Sequence, residues 1–177
     1  MCTVSMPTEI TALLNKGQVI PAHPLALNES RKLNEVRQRA LTRYYLDAGA
    51  GGIAAGVHTT QFKIRRPDIG LFEPVLELAG EEIDGFSTSK STPIIKIAGV
   101  LGGTSQAASE ARIAADLGYH AALLSFSGFE SESNGSLIEH ATEIAQILPC
   151  SVSIFSLPLA VGYWTSHSGG PSAKSKT

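Results

Sequence analysis

Cysteine is nearly absent from this chain of 177 residues, which holds only Cys2 and Cys150. Two thiols so far apart make neither a disulfide framework nor a zinc-ligand spacing. The composition therefore predicts a reducing, cytoplasmic compartment. Excess charge is also missing, with 14 Lys and Arg against 16 Asp and Glu. Without a basic surplus there is no electrostatic footprint for nucleic acid. No apolar run reaches the length of a membrane span. Residues 1–10 lack a basic start and an apolar core, which predicts no signal peptide. No Gly-x-Gly-x-x-Gly follows the first apolar run, and no phosphate-loop Lys-Ser/Thr occurs, which weakens a nucleotide-binding reading. The length suits one domain with a real core.

What is present centres on residues 47–61, DAGAGGIAAGVHTTQ. Ala48 closes a helix, and Gly49 to Gly52 supply the positive-φ turn that other side chains resist. Ile53 to Val57 is short, small and apolar, as suits a strand covered on both faces. His58, Thr59 and Thr60 arrive together where that strand stops. Parallel α/β proteins keep their chemistry at the carboxyl ends of strands, although paired threonines also form plain turns.

Along the chain, residues 7–14 read as a short helix and Gln18 to Ala22 as a first strand. A helix runs from Asn34, with Val36, Ala40, Leu41, Tyr44 and Tyr45 on one face and Arg37, Arg39 and Arg43 off it. Leu71 to Glu82 is the next helix, with Leu71, Val75, Leu76 and Leu78 inward, and residues 84–92 read as a polar turn. Ile94 to Val100 is an apolar strand interrupted by Lys96. Thr104 is the expected N-cap of a helix over residues 105–117 that Gly118 stops. Ala121 to Ser125, a helix over residues 137–148 and a strand over residues 151–155 follow. Four βα units and one more strand predict a parallel sheet, either open and doubly wound or part of an eight-stranded barrel. Lys96 is either a desolvated amine nucleophile or a side chain that snorkels or pairs with a carboxylate. His23 and His58 fall at the ends of neighbouring strands, where they suit a metal or an anion, but no third ligand accompanies them. Arg65 and Arg66 read as solvated.

Four segments, "VIPAHPLALNES", "AGAGGIAAGVHTTQF", "PIIKIAGVLGGTSQAASEARIAADLGYHAALLS" and "SLIEHATEIAQILPCSVSIFSLPLAVG", carry a likeness over about Gln18 to Gly162. Together they resemble the dihydrodipicolinate synthase / N-acetylneuraminate lyase family. The resemblance implies a (β/α)8 barrel and Schiff-base aldolase chemistry on pyruvate or another 2-oxo acid, with no further cofactor and no metal. A lysine on the sixth strand would attack the keto carbon, which suits a desolvated amine. The resemblance makes Thr59 and Thr60 the ligands of the substrate carboxylate; His58 and His23 join them as candidate substrate-binding residues from their strand-end positions alone. Gln61-Phe62 replaces the family's usual Gly-Glu, so substrate handling differs. The loop after Ser125 has no tyrosine where the family has a proton-relaying one; Phe129 is nearest and cannot relay a proton, and the sixth strand that would carry the lysine is absent.

Residues 163–177 are Ser, Gly, Lys and Thr around Trp164, without periodicity, and read as an irregular tail. Back-translated and read one base out of frame, this stretch can spell LDFPFWRAFGEIEN, the kind of amphipathic segment that opens the next helix in the family. A frameshifted tail is the expectation. The expected fold is thus α/β: a partial barrel over residues 1–162, with about five parallel strands and four helices, not closed. Its first and last strands would be bare edges, which predicts self-association, including pairing of two partial barrels. The expected function is that of a lyase or synthase of the family that lacks its covalent lysine, with Lys96 as the remaining catalytic candidate. The other class is a non-catalytic binding or remnant module that self-associates. The expected partners are a small 2-oxo acid and further copies of the chain, with no nucleic acid and no membrane.

Overall fold

A computed structural model describes residues 6–129 and 131–153. Four parallel strands lie side by side in chain order: β1 (Gly52–Ala55), β2 (Ile95–Val100), β3 (Ala121–Ser125) and β4 (Cys150–Ser153). Ile53 pairs with Lys96, Ala98 with Ala122 and Leu124 with Val152. Five helices accompany them: α1 (Thr8–Lys16), α2 (Glu35–Asp47), α3 (Phe72–Lys90), α4 (Thr104–Asp116) and α5 (Asn134–Ala145). Each of α3, α4 and α5 returns the chain to the start of the next parallel strand, the connection that parallel pairing requires.

Small side chains set the distance between helices and sheet. The inward stripe of α4 is Ala107, Ala108, Ala111 and Ala114, packed with Leu76, Ala79, Ala98, Val100 and Leu124. Alanines at this spacing form one face of a helix and bring its backbone close to the strands. Enlarging one of them would force neighbours off their rotamers at a cost of roughly 1–3 kcal/mol. A second cluster joins Leu46, Ile53, Ile83 and Ile94, with Tyr45 and Phe86 against it.

That second cluster explains why α3 runs to Lys90, through residues expected to form a turn. Ile83 and Phe86 bury apolar surface there, and Arg39 and Arg43 of α2 pair with Glu82. The face of α2 also differs from expectation. Val36 and Tyr44 are exposed, while Gln38, Thr42 and Leu46 point inward. The periodic apolar residues lost to a polar pair that has work to do inside.

The expected count of about five strands and four helices becomes four strands and five helices among the described residues. The segment expected as a first strand, Gln18 to Ala22, makes only one bridge, between Ala22 and Ala54. It still runs along β1: Gly51 N–H donates to Val19 O (3.0 Å), Ala54 N–H to Pro21 O (3.0 Å) and His23 N–H to Ala54 O (2.9 Å). The next rung back would need an N–H at position 21, which proline lacks. Among the described residues the sheet does not close, and β4 has no neighbour on its far side. The tail over residues 163–177, and the end of the strand expected over residues 151–155, lie outside the described residues.

Candidate functional site

The carboxyl ends of β1, β2 and β3 open into a cleft of about 390 Å³. Its polar groups come from loops that leave those ends: His58 and Thr59 after β1, Ser125 at the end of β3 and Ser127 just beyond. Its walls are apolar, from Ile20, Val57, Phe62, Val100, Leu101 and Leu123. Ligand sites on parallel sheets gather at this end. A larger hollow of about 470 Å³ lies between the loop over residues 64–70 and α4, but its Arg65, Gln106 and Glu110 are already bonded to one another. The cleft at the strand ends is therefore the candidate site.

Backbone geometry shapes the cleft floor. Gly56 turns the chain at φ +71°, a conformation that other side chains resist. Gly99 lies so close to it that a Cβ there would strike Gly56 O. After the turn come two short 3-10 segments, His58–Thr60 and Phe62–Arg65, with Gln61 between them at φ +75°.

The four residues expected to bind substrate divide into two pairs. His58 and Thr59 are exposed and line the cleft. His23 and Thr60 are fully buried and do not line it. Thr60 Oγ1 donates to His23 O at 2.6 Å, and Thr59 Oγ1 makes a longer bond of 3.4 Å to the same oxygen. Both nitrogens of the His23 ring are engaged inside the protein, Nδ1 by Gln38 Nε2 (2.7 Å) and Nε2 by Thr42 Oγ1 (3.0 Å). Burial in this wedge lowers the His23 pKa to about 4, so the ring is neutral. The inward polar residues of α2 are thus there to satisfy His23.

Lys96 stands away from the cleft, which it does not line. Its Nζ donates to both carboxylate oxygens of Asp84, at 2.8 and 2.9 Å. Its backbone N–H donates to His120 Nδ1 (3.0 Å), and burial lowers the pKa of that imidazole, with the Lys96 charge adding to the shift. Of the two readings of Lys96, the carboxylate pair is the arrangement found. Phe129 packs against His140 with ring centroids 4.5 Å apart, and His140 Nδ1 meets Thr104 Oγ1 at 2.8 Å. Thr104 is thus the first residue of α4, with Gly103 as the N-cap, and its hydroxyl serves His140 instead of the helix end.

Arg65, expected in solvent, is instead buried beside the cleft, with Nε and Nη2 bonded and Nη1 without a hydrogen-bond partner among the described residues. Its side chain is 6% exposed and paired with Glu110 through Nε at 2.9 Å. Its Nη2 donates to Gly56 O and Gly99 O, both at 2.8 Å, and so fastens the ends of β1 and β2 together. Glu110 also accepts from Leu101 N–H (3.2 Å) and Gln106 Nε2 (2.8 Å). Burial lowers the Arg65 pKa, and Glu110 opposes that shift. The signal for this clamp was Glu110 itself, a charge in the alanine stripe of α4, three residues after Ala107 and four before Ala114. Arg66 pairs with Asp68 at the surface. Among the described residues, no group of three His, Cys, Asp or Glu side chains stands together as a metal site. No described helix is long and apolar enough to cross a membrane.

No protein-family model matches the sequence, and no curated protein matches it. Solved structures do resemble the fold. YagE, a prophage protein of the dihydrodipicolinic acid synthase family from E. coli in complex with pyruvate, aligns with a TM-score of 0.65 at 15% identity, over 81% of this chain and 46% of that one. CdNal from Clostridium difficile, in complex with mannosamine, aligns at 0.65 and 19% identity, over 80% and 47%. A dihydrodipicolinate synthase from Bacillus anthracis aligns at 0.64 and 16% identity, over 80% and 46%. The chain spans less than half the length of each of these three structures. The likeness shows the fold: this chain is built like somewhat under half of a dihydrodipicolinate synthase or N-acetylneuraminate lyase barrel.

Proposed function

We propose that the cleft binds the carboxylate of a pyruvate-like 2-oxo acid, non-covalently so far as the described residues are concerned. One observation carries this reading: His58, Thr59, Ser125 and Ser127 line one cleft at the strand ends, between apolar walls. Hydroxyl donors suit a carboxylate, Thr59 giving up its long bond to His23 O to reach one, and each charge-assisted bond contributes about 1.5–3 kcal/mol. A few such bonds, less the cost of immobilising the ligand, correspond to a dissociation constant on the order of 1 mM. A solved relative of this fold holds pyruvate, which favours the same ligand class here. Schiff-base chemistry needs an amine at the site, and no described lysine lines the cleft. Lys96, the remaining catalytic candidate, is committed to Asp84.

Among the described residues β4 has no strand on its far side, which favours the companion reading of a binding module that self-associates. A second copy of the chain is the partner proposed, and the cytoplasm the proposed compartment. Two measurements test the whole. Titrating pyruvate while following the His58 imidazole by NMR should give a saturable shift that Thr59→Val weakens. Borohydride reduction in the presence of pyruvate should leave the protein mass unchanged. An unmoved His58 signal at ~10 mM pyruvate would overturn the binding reading. A borohydride-fixed adduct on a described lysine would overturn the non-covalent one.

A further inference from the structure

Phe62 is 43% exposed and lines the cleft. It is held there on two sides. The His58 ring meets it edge-on, centroids 5.8 Å apart and planes at 81°, and the Arg65 guanidinium lies 5.8 Å from its centroid. Gln61 precedes it at φ +75° and ψ 117°, a conformation that a residue with a side chain rarely adopts. Strain of this kind persists where the surroundings enforce it, and here it separates the two 3-10 segments that present His58 and Phe62 to one opening.

Only four of the residues that line the cleft carry polar side chains. Ser125, Ser127, His58 and Thr59 supply the polar contacts, while Ile20, Val57, Val100, Leu101 and Leu123 offer none from their side chains. A ligand carrying several hydroxyls would lose water against those walls without gaining partners. A ligand with one polar end and one apolar end loses nothing there.

We propose that Phe62 is a specificity-determining residue and that the ligand is a 2-oxo acid bearing an aryl or branched alkyl group, its carboxylate toward Thr59 and its apolar group against Phe62. The assignment rests on the carboxylate reading given above. An aromatic ring prefers to meet another ring edge-on or offset, and the partly exposed Phe62 ring suits that contact.

The test is calorimetric titration of the full chain with three acids: pyruvate, 2-oxo-3-phenylpropanoate and 2-oxo-3-deoxygluconate. The phenyl acid should bind about tenfold more tightly than pyruvate, as burial of a ring predicts. Phe62→Ala should reduce that preference to about twofold, and Phe62→Leu should retain part of it. Thermal unfolding of each variant should match the parent, because the side chain is half outside the core. Equal binding of pyruvate and the phenyl acid, or tightest binding of the sugar acid, would overturn the role of Phe62 and leave the carboxylate site standing. Failure of all three acids to bind would overturn the carboxylate site, and this proposal with it.

Discussion

Gln38 points its amide nitrogen at His23 Nδ1, 2.7 Å away, and this contact fixes the protonation of the ring. Gln38 cannot turn its amide over, because Oε1 accepts from Ala26 N–H at 2.7 Å while Nε2 also donates to Pro24 O at 2.9 Å. His23 Nδ1 must therefore accept. Thr42 Oγ1 donates to Gln38 O (3.3 Å), so His23 Nε2 carries the proton and donates to Thr42. Folded His23 takes a second proton only near pH 4, against 6.5 when unfolded. Between those values the unfolded chain binds a proton that the folded chain refuses, so stability falls as pH is lowered. The expected loss is roughly 3 kcal/mol between pH 7 and pH 4 from this residue alone. Urea denaturation at pH 7, 5.5 and 4 measures it, and His23→Asn should flatten the slope. An equal slope in the variant would assign the acid sensitivity elsewhere.

Arg65 and Glu110 stabilise the strand ends as a pair, and losing one leaves the other buried alone. Arg65→Met should cost about 3 kcal/mol, because it strands the Glu110 charge and frees two strand-end carbonyls. Adding Glu110→Gln to that variant should recover part of the loss. A double-mutant cycle by chemical denaturation reads the coupling, and strict additivity would contradict the clamp.

The Lys96–Asp84 pair is lopsided, with side-chain exposures of 5% and 62%. Removing the exposed partner should therefore hurt more than removing the buried one. Asp84→Ala leaves a buried ammonium without its carboxylate and should cost roughly 1–3 kcal/mol. Lys96→Met leaves an aspartate already in water and should cost less than about 1 kcal/mol. Melting temperatures of the two variants decide the order. The reverse order would mean that the lysine stem carries the packing there.

Two glycines should respond to alanine with opposite signs. At Gly99 a Cβ would meet Gly56 O, with Gly56 C at 2.8 Å and Val57 N at 3.0 Å, all backbone atoms that cannot step aside. Gly99→Ala should cost about 1–3 kcal/mol and disturb the cleft floor. Gly85 lies within α3 with nothing inside 4 Å of a new Cβ, so Gly85→Ala should add about 0.5–1 kcal/mol. Differential scanning calorimetry on both variants provides the comparison.

The regular parts of this fold were legible because they obey simple periods. The β2 and β3 strands and the extent of α4 follow from apolar runs and the glycine stop at position 118. What the sequence hid was buried polarity. Gln38 and Thr42 look like a solvated face until His23 is placed under them, and Val36 and Tyr44 look like core until it is not. Arg65 looks solvated until the glycines at positions 56 and 99 expose their carbonyls to it. The extension of α3 past Glu82 depends on partners far along the chain, which no local pattern contains. At the site, His58 and Thr59 could be placed at a strand end from spacing alone. The burial of Thr60 and His23 needed a third element, α2, to be docked first.

The oxygen of His23 has one further consequence. Hydroxyls from the cleft loop reach it from above, while the ring of the same residue is wedged into α2 and its N–H is bonded to β1. One residue thereby links the floor of the cleft, the segment over residues 18–26 and a helix that does not line the cleft. These bonds predict that the pieces open as a single cooperative unit. Amide hydrogens of His23, Ala26 and Ala54 should therefore exchange with solvent at a common rate, and a molecule resting on Thr59 should slow all three.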